Sequence, residues 1–323
     1  MKVIVSVPGK VHLMGEHAVV HGKPALLAAI NLRLRVTVET LSLSSPRTRG
    51  SSENFLIESD EPSDYIRHAI DVVKREYKLA LLPPMKITVT SDIPAGYHLG
   101  SSAAIAVGTV GALTYFLKKV WNPSAINQIA YEVEKKMHGN PSGGDNTTVT
   151  IGGFIWFRKE LEFLKSIWQL PFKLPKNLDH FFLINTGRPK ETTGEMVEYL
   201  KSKVKSQKSK VEKLFDENER QTKRVAVAIK EGNENELIDA IRLGEGTLEG
   251  MGVVSQKVTP LIQEIEKAGG AAKILGGGGK VDGVGFLLCY HHDLDCINKL
   301  SHSYRYSVAD IQLGGEGIHL EKS

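Results

Sequence analysis

The sequence predicts a two-domain α/β protein. Its 323 residues exceed what one hydrophobic core usually serves, domains being most often about 100–150 residues. Strand-like alternation and helix-like periodicity follow one another along the chain. Glycine-punctuated stretches bearing polar residues interrupt them, and these have no place in a simple core.

Lys2 to Val7 and Asn31 to Thr40 alternate apolar and polar residues as half-buried strands do, and they are expected to pair within one sheet. Between them, Gly9 to Gly22 carries Lys10, Glu16 and His17 and reads as a site-forming connection. A Ser-rich insertion, expected to be mobile, covers Leu41–Asn54. A helix is predicted over Ser63–Tyr77, a strand over Met85–Thr90, then the loop Ser91–Gly100 and a helix of small apolar residues over Ser101–Val120. Asn122-Pro123 is a capping residue followed by proline at the first helical position. It opens a helix toward Met137 whose buried stripe is Ile126, Ile129, Ala130, Val133 and Met137.

Strands at Thr148–Arg158 and His180–Asn185 are expected to close a first domain of residues 1–187, leaving 188–323 as the second. That second domain begins with a long charged helical region, Gly194–Gly250. Then come a helix at Val258–Ala268, a glycine cluster at Gly276–Gly279, a strand at Val284–Tyr290, a helix at His292–Ser301 and a strand at Arg305–Gln312.

Composition excludes several classes. Lys plus Arg number 41, but 37 Asp plus Glu offset them, so no dominant cationic surface argues for nucleic acid. The densest basic run, Lys201 to Lys210, reads as a solvated helix face. Cys289 and Cys296 match neither a disulfide framework nor a zinc site, which fits a reducing cytoplasm. The N-terminus is too short an apolar segment for a signal peptide, and nothing approaches a membrane span.

Two segments carry chemistry by themselves. Pro94-Ala-Gly-Tyr-His-Leu-Gly-Ser-Ser-Ala-Ala104 is a glycine-containing turn feeding a helix that begins with small residues. Backbone N–H groups left free at a positive helix end make a phosphate cradle, and the Ser101 and Ser102 hydroxyls can bind phosphate or magnesium. It matches neither the Gly-x-x-x-x-Gly-Lys-Ser/Thr loop nor the dinucleotide fingerprint. His138-Gly-Asn-Pro-Ser-Gly-Gly-Asp-Asn146 turns sharply at its paired glycines and presents Asp145, with Glu134 one helical turn earlier.

Taken together the segments resemble the GHMP small-molecule kinases, and within them the mevalonate kinase branch. Pro8-Gly-Lys-Val-His-Leu-Met-Gly-Glu-His-Ala-Val-Val-His-Gly-Lys-Pro-Ala25 resembles the first motif of that branch. Pro94–Ala104 is similar to the shared phosphate loop, His138–Asn146 to the segment bearing the catalytic aspartate, and Gly276–Gly279 to the C-terminal glycine motif. Asn185-Thr-Gly-Arg-Pro-Lys-Glu-Thr-Thr193 resembles the stretch that opens the second domain.

The resemblance implies an α+β, two-domain GHMP kinase fold: an N-terminal α/β domain with a mixed sheet, a ferredoxin-like C-terminal α/β domain, and an active site in the cleft between them. It implies Mg2+-dependent transfer of phosphate from ATP to the 5-hydroxyl of (R)-mevalonate, with Asp145 as base and Lys10 as its cationic partner. Glu16 and His17, with Lys10 and Asp145, would contact substrate. Pro94, Ala95, Gly96, Leu99, Gly100, Ser101, Ser102, Ala103 and Thr193 would hold ATP, and Ser102 and Glu134 the metal. It implies small-molecule partners without nucleic acid or membrane, and leaves a homodimer open.

Two departures stand out. Tyr97-His98 replaces the small residues usual in the phosphate loop, and Lys280-Val-Asp282 places charge where the third motif has small apolar residues. The competing readings are galactokinase, homoserine kinase, phosphomevalonate kinase, diphosphomevalonate decarboxylase, or a silent sensor of the same fold. Lys10 and the run Glu16–Ala25 favour mevalonate. The presence of Lys10, Glu134 and Asp145 argues against a silent protein.

Overall fold

A computed structural model describes residues 1–41, 54–61, 63–138, 141–161 and 163–322. The expected mobile insertion lies, but for its end residues, outside the described residues. The first sheet is mixed and has seven strands. β1 (Lys2–Met14) runs antiparallel to the long β2 (Pro24–Thr40), as the alternation predicted. β3 (Phe55–Ser59) pairs parallel with β4 (Met85–Ser91), and α1 (Ser63–Glu76) crosses between them.

The second half of β2 pairs β4, while its first half pairs β5 (Phe154–Lys159), which in turn pairs β6 (Lys165–Gln169). Three more helices complete this unit: α2 (Ser101–Lys118), α3 (Pro123–His138) and α4 (Gly144–Ile151). α2 is buried almost all round and lies close on the sheet. A Cβ at Gly108 would stand 2.8 Å from Val36 Cγ2, so glycine sets that spacing. Asn122 Oδ1 accepts from Ala125 N–H at 3.2 Å, the predicted cap of α3.

The strand expected at Thr148–Arg158 is corrected by α4, which occupies its first residues. β-Branched Thr147-Thr-Val-Thr-Ile151 favours strand by propensity. In the buried setting their hydroxyls instead donate back one turn, Thr148 to Gly144 O at 2.8 Å and Thr150 to Asn146 O at 2.6 Å. Gly152 and Gly153, both at positive φ, then end the helix and start β5.

β7 (Phe181–Asn185) corrects a second expectation, because it belongs to the other sheet and does not close the first. Its run Phe-Phe-Leu-Ile is apolar on both faces and carries no alternation to say which sheet it joins. The long helical region resolves into α5 (Thr193–Ser206), α6 (Lys208–Glu231) and α7 (Glu234–Met251), followed by α8 (Thr259–Lys267). β8 (Ala271–Ile274), β9 (Phe286–Tyr290), α9 (Leu294–Ser303) and β10 (Ser307–Ile311) complete the unit. The strands lie in the order β10-β7-β9-β8, every pair antiparallel, which is the ferredoxin-like β-α-β-β-α-β arrangement.

A cut at 187/188 therefore does not separate the sheets. The last strand, β11 (His319–Lys322), returns to pair with β1. Alternation along the second sheet divides two cores. Phe181, Leu183, Leu288 and Tyr290 join a core shared with the first sheet and with Val225, Ile229 and Leu237 of α6 and α7. Phe182, Ile184, Leu287 and Ile274 face the other way, onto Leu200, Leu261 and Ile297 of α5, α8 and α9. The basic run straddles α5 and α6, where Lys203 Nζ caps the end of α7 by donating to Met251 O at 2.8 Å.

Candidate active site

Lys10 lies on β1, where its backbone N–H donates to Leu99 O at 2.9 Å and so staples the strand to the glycine turn before α2. Its side chain is only 3% accessible and runs beneath that turn to Asp145. Gly100 makes the passage. It sits at φ 83, and a Cβ there would stand 2.8 Å from Lys10 Cγ. Nζ of Lys10 meets Asp145 Oδ2 at 3.0 Å, His98 O at 3.2 Å and His12 Nδ1 at 3.3 Å, so its three donors are spent within one cluster.

Asp145 is in the first turn of α4, presented by Gly143 at φ 88. Its side chain is 41% accessible, so one edge is open to a ligand. Burial alone would raise its carboxyl, but the charge and hydrogen bond of Lys10 hold it below the usual carboxylate range. The amide-bearing end of the helix favours the anion as well. His12, which sequence reasoning missed, is kept neutral by burial and by Lys10.

Glu134 projects from α3 and is buried. Burial and the charge of Asp145 push it up to about 7, against the pull of Lys10. Ser102 is hydrogen-bonded to the Tyr65 hydroxyl, and Ser101 donates to Glu61 Oε2 at 3.3 Å. Glu134 and Ser102 offer the hard oxygen donors that magnesium takes, and a cation would restore the charge that burial removes from Glu134. Among the described residues no cluster of three His, Cys, Asp or Glu side chains gathers for a metal. Such an ion would therefore rest on these two side chains with phosphate and water oxygens.

Of the predicted nucleotide residues, Leu99 and Ala103 are core side chains, leaving only their backbone to a ligand. Pro94, Ala95, Gly96 and Gly100 form the turn itself. α2 has no side-chain cap at Gly100, so its first amides are available. Thr193 opens α5 behind a capping box of Thr192 and Glu195, with its Oγ1 3.4 Å from His98 Nδ1. Gly277 comes against Thr193, where a Cβ would stand 3.2 Å from its Cα.

Glu16 and His17 are brought to the same junction, each tied to the second unit through one polar atom, while Glu16 Oε2 has no partner among the described residues. Glu16 makes a fully buried ion pair with Lys273 of β8, whose Nζ also donates to Ile274 O at 2.7 Å and His12 O at 3.2 Å. His17 Nε2 lies 3.2 Å from Gly277 O, and burial lowers its ring to about 4. Both residues thus tie β1 to the second unit. Lys273 was missed, though a lysine inside the apolar strand Ala-Ala-Lys-Ile was its signal.

Arg188 was missed too. It follows β7, and its guanidinium lies 3.0–3.2 Å from where a Cβ of Gly96 would be, placing a cation from the second unit against the phosphate turn. The charged departures in the third motif face their own unit. Lys280 sits 4.1 Å from the centre of the Tyr199 ring, and Asp282 pairs with Lys190 and Lys257, which hold its carboxyl down to about 2.

Residues 64–153 match the GHMP kinases N terminal domain, and residues 1–40 match the galactokinase galactose-binding signature. The mevalonate kinase of Archaeoglobus fulgidus is 35% identical over 286 residues, covering 85% of this chain and 89% of that protein. Among solved structures, the Methanococcus jannaschii mevalonate kinase superposes with a TM-score of 0.78 at 20% identity, covering 97% of this chain and 98% of that one. L. major mevalonate kinase in complex with R-mevalonate does so with a TM-score of 0.80, also at 20% identity, covering 97% and 96%. The chain belongs to the mevalonate kinase family of the GHMP kinases.

Proposed function

We propose that this chain transfers the γ-phosphoryl group of ATP to the 5-hydroxyl of (R)-mevalonate, yielding 5-phosphomevalonate and ADP, in the mevalonate route of isoprenoid synthesis. The observation that carries the reading is the 3.0 Å Lys10–Asp145 pair between an uncapped helix N-terminus and an open carboxylate edge. Phosphoryl transfer has a loose transition state, so alignment and charge neutralisation matter more than a strong base. Asp145, kept ionised by Lys10, accepts the hydroxyl proton as the oxygen–phosphorus bond forms. Lys10 stabilises the charge on the attacking oxygen, and Arg188 faces the phosphates from the other unit.

Magnesium is the metal this donor set suits, held by Ser102 and Glu134; when bound it would neutralise phosphate charge. Glu16 and His17 serve the acceptor pocket by fixing its wall, Glu16 through Lys273 at one carboxylate oxygen and His17 through Gly277 O at Nε2. The two free cysteines accord with a cytoplasmic protein, and among the described residues no helix is long and apolar enough to cross a membrane.

Galactose is the second reading, favoured by the signature matched in residues 1–40. Supplying ATP and magnesium with mevalonate, galactose, homoserine or phosphomevalonate in separate reactions decides between them. ADP release with mevalonate alone is expected. Turnover of galactose alone would replace the acceptor and leave the site roles standing.

A further inference from the structure

His98 is the residue of the phosphate turn that the family resemblance explains least. Its backbone is left-handed at φ 65, a conformation uncommon for a residue with a side chain. The ring crosses from the turn to the second unit and packs on the third glycine motif. A Cβ at Gly276 would stand 2.5 Å from His98 Cβ and 2.9 Å from its Nδ1, and one at Gly285 would stand 3.5 Å from its Cδ2. Only glycine at Gly276 leaves room for the ring.

The polar atoms of His98 are unequally used. Its carbonyl accepts from Lys10 Nζ at 3.2 Å, and its Nδ1 lies 3.4 Å from Thr193 Oγ1. Its Nε2 is closed off from water and has no hydrogen-bond partner among the described residues. Native proteins seldom leave a buried polar atom unpaired, so each exception calls for an explanation. Burial keeps the ring neutral at physiological pH, so it carries one proton. Thr193 can donate to Nδ1 or accept from it by rotating its hydroxyl, and an anionic oxygen at Nε2 selects the form with the proton there.

What surrounds the ring says which oxygen that is. The turn that bears His98 leads into the uncapped N-terminus of α2, Lys10 lies against its carbonyl, Thr193 against its Nδ1, and the Gly276–Gly279 turn against its face. Every one of these features suits a phosphate. We propose that His98 is a phosphate-binding residue: its Nε2–H donates to an oxygen of the nucleotide's phosphates when they enter between the turn and the third glycine motif. The proposal rests on the nucleotide reading of the site. It gives the bulky replacement at this position a role in affinity, where small residues would leave the contact unmade.

The test compares His98→Gln with His98→Met. Both are unbranched and of similar length, so both meet the left-handed backbone alike, and only glutamine keeps an N–H donor. Calorimetric titration with ADP and magnesium, and separately with adenosine, is run on wild type and both variants after their melting temperatures are checked. We expect ADP to bind about tenfold more weakly to His98→Met, the effect of one hydrogen bond to a charged group. His98→Gln should stay within about threefold of wild type, and adenosine, which has no phosphate, should bind all three alike. Equal ADP affinity in the two variants, whether wild-type or reduced, overturns the role of His98 while leaving the nucleotide site intact. A wild-type chain that binds no ADP overturns the nucleotide reading and this proposal with it.

Discussion

Glu245 illustrates what a single buried carboxyl does at this junction. It lies on α7, accepts from Ile274 N–H at 3.0 Å, and burial pushes it up to about 8 although Lys273 draws it down. The folded chain therefore keeps a proton there, between pH 4.5 and about 8, that the unfolded chain has lost. Stability from this group is complete below the unfolded value and falls by about 1.4 kcal/mol per pH unit as pH rises through that window. Melting from pH 5 to pH 8 should show a decline in wild type that is shallower in Glu245→Gln, which keeps the acceptor oxygen and does not ionise. Parallel curves would mean that Glu245 is not protonated in the fold. The same reasoning separates Asp145 from Glu134: Asp145 has Lys10 at 3.0 Å and one open edge, so it stays ionised, while buried Glu134 rises to about 7.

Elements position these residues through glycines, and the glycines differ in what they permit. At Gly100, left-handed backbone and the neighbouring Lys10 Cγ both exclude a side chain. At Gly246, in the exposed face of α7, nothing lies within 4 Å of a Cβ. Gly246→Ala should raise the melting temperature slightly, alanine being favoured over helical glycine by about 0.5–1 kcal/mol. Gly100→Ala should lower it and cut kcat at least tenfold by displacing Lys10; full activity there would show that the turn does not set the lysine. Much of this was legible in sequence, because α1, α2, α3 and the pairing of β1 with β2 follow from local periodicity and capping. α4 was not, since its threonines favour a strand until burial turns their hydroxyls onto the helix backbone. β7 and β11 were not either, as an apolar run or four mixed residues do not say which sheet they join. Of the site, Lys10, Asp145 and the phosphate turn were readable from their motifs; His12 and Arg188 lie within motifs but reach the site only through pairings that the local sequence does not show, and Lys273 comes from outside every motif by long-range packing.

The two sheets share an apolar core and are joined besides by polar contacts close to the Lys10–Asp145 pair. Lys273 reaches from β8 to Glu16 and to the carbonyl of His12, two residues along β1 from Lys10. His17 meets Gly277, His98 meets Gly276, and Arg188 meets the phosphate turn. Breaking a buried ion pair by removing one partner costs about 3–5 kcal/mol, so loss of Lys273 or Glu16 would weaken the junction beside the Lys10–Asp145 pair. The acceptor hydroxyl and the γ-phosphate would then meet between units that neither sheet could align alone. The central claim is that this arrangement transfers phosphate to mevalonate through Asp145. The most direct test follows the phosphorus resonances of ATP, magnesium and (R)-mevalonate with wild type and with Asp145→Asn, confirming by circular dichroism that both are folded. A new phosphomonoester resonance from 5-phosphomevalonate in wild type, formed about 10²–10⁴ times more slowly by the variant, is the predicted result. Equal rates in the two folded proteins, or no phosphomonoester from wild type, would contradict the account.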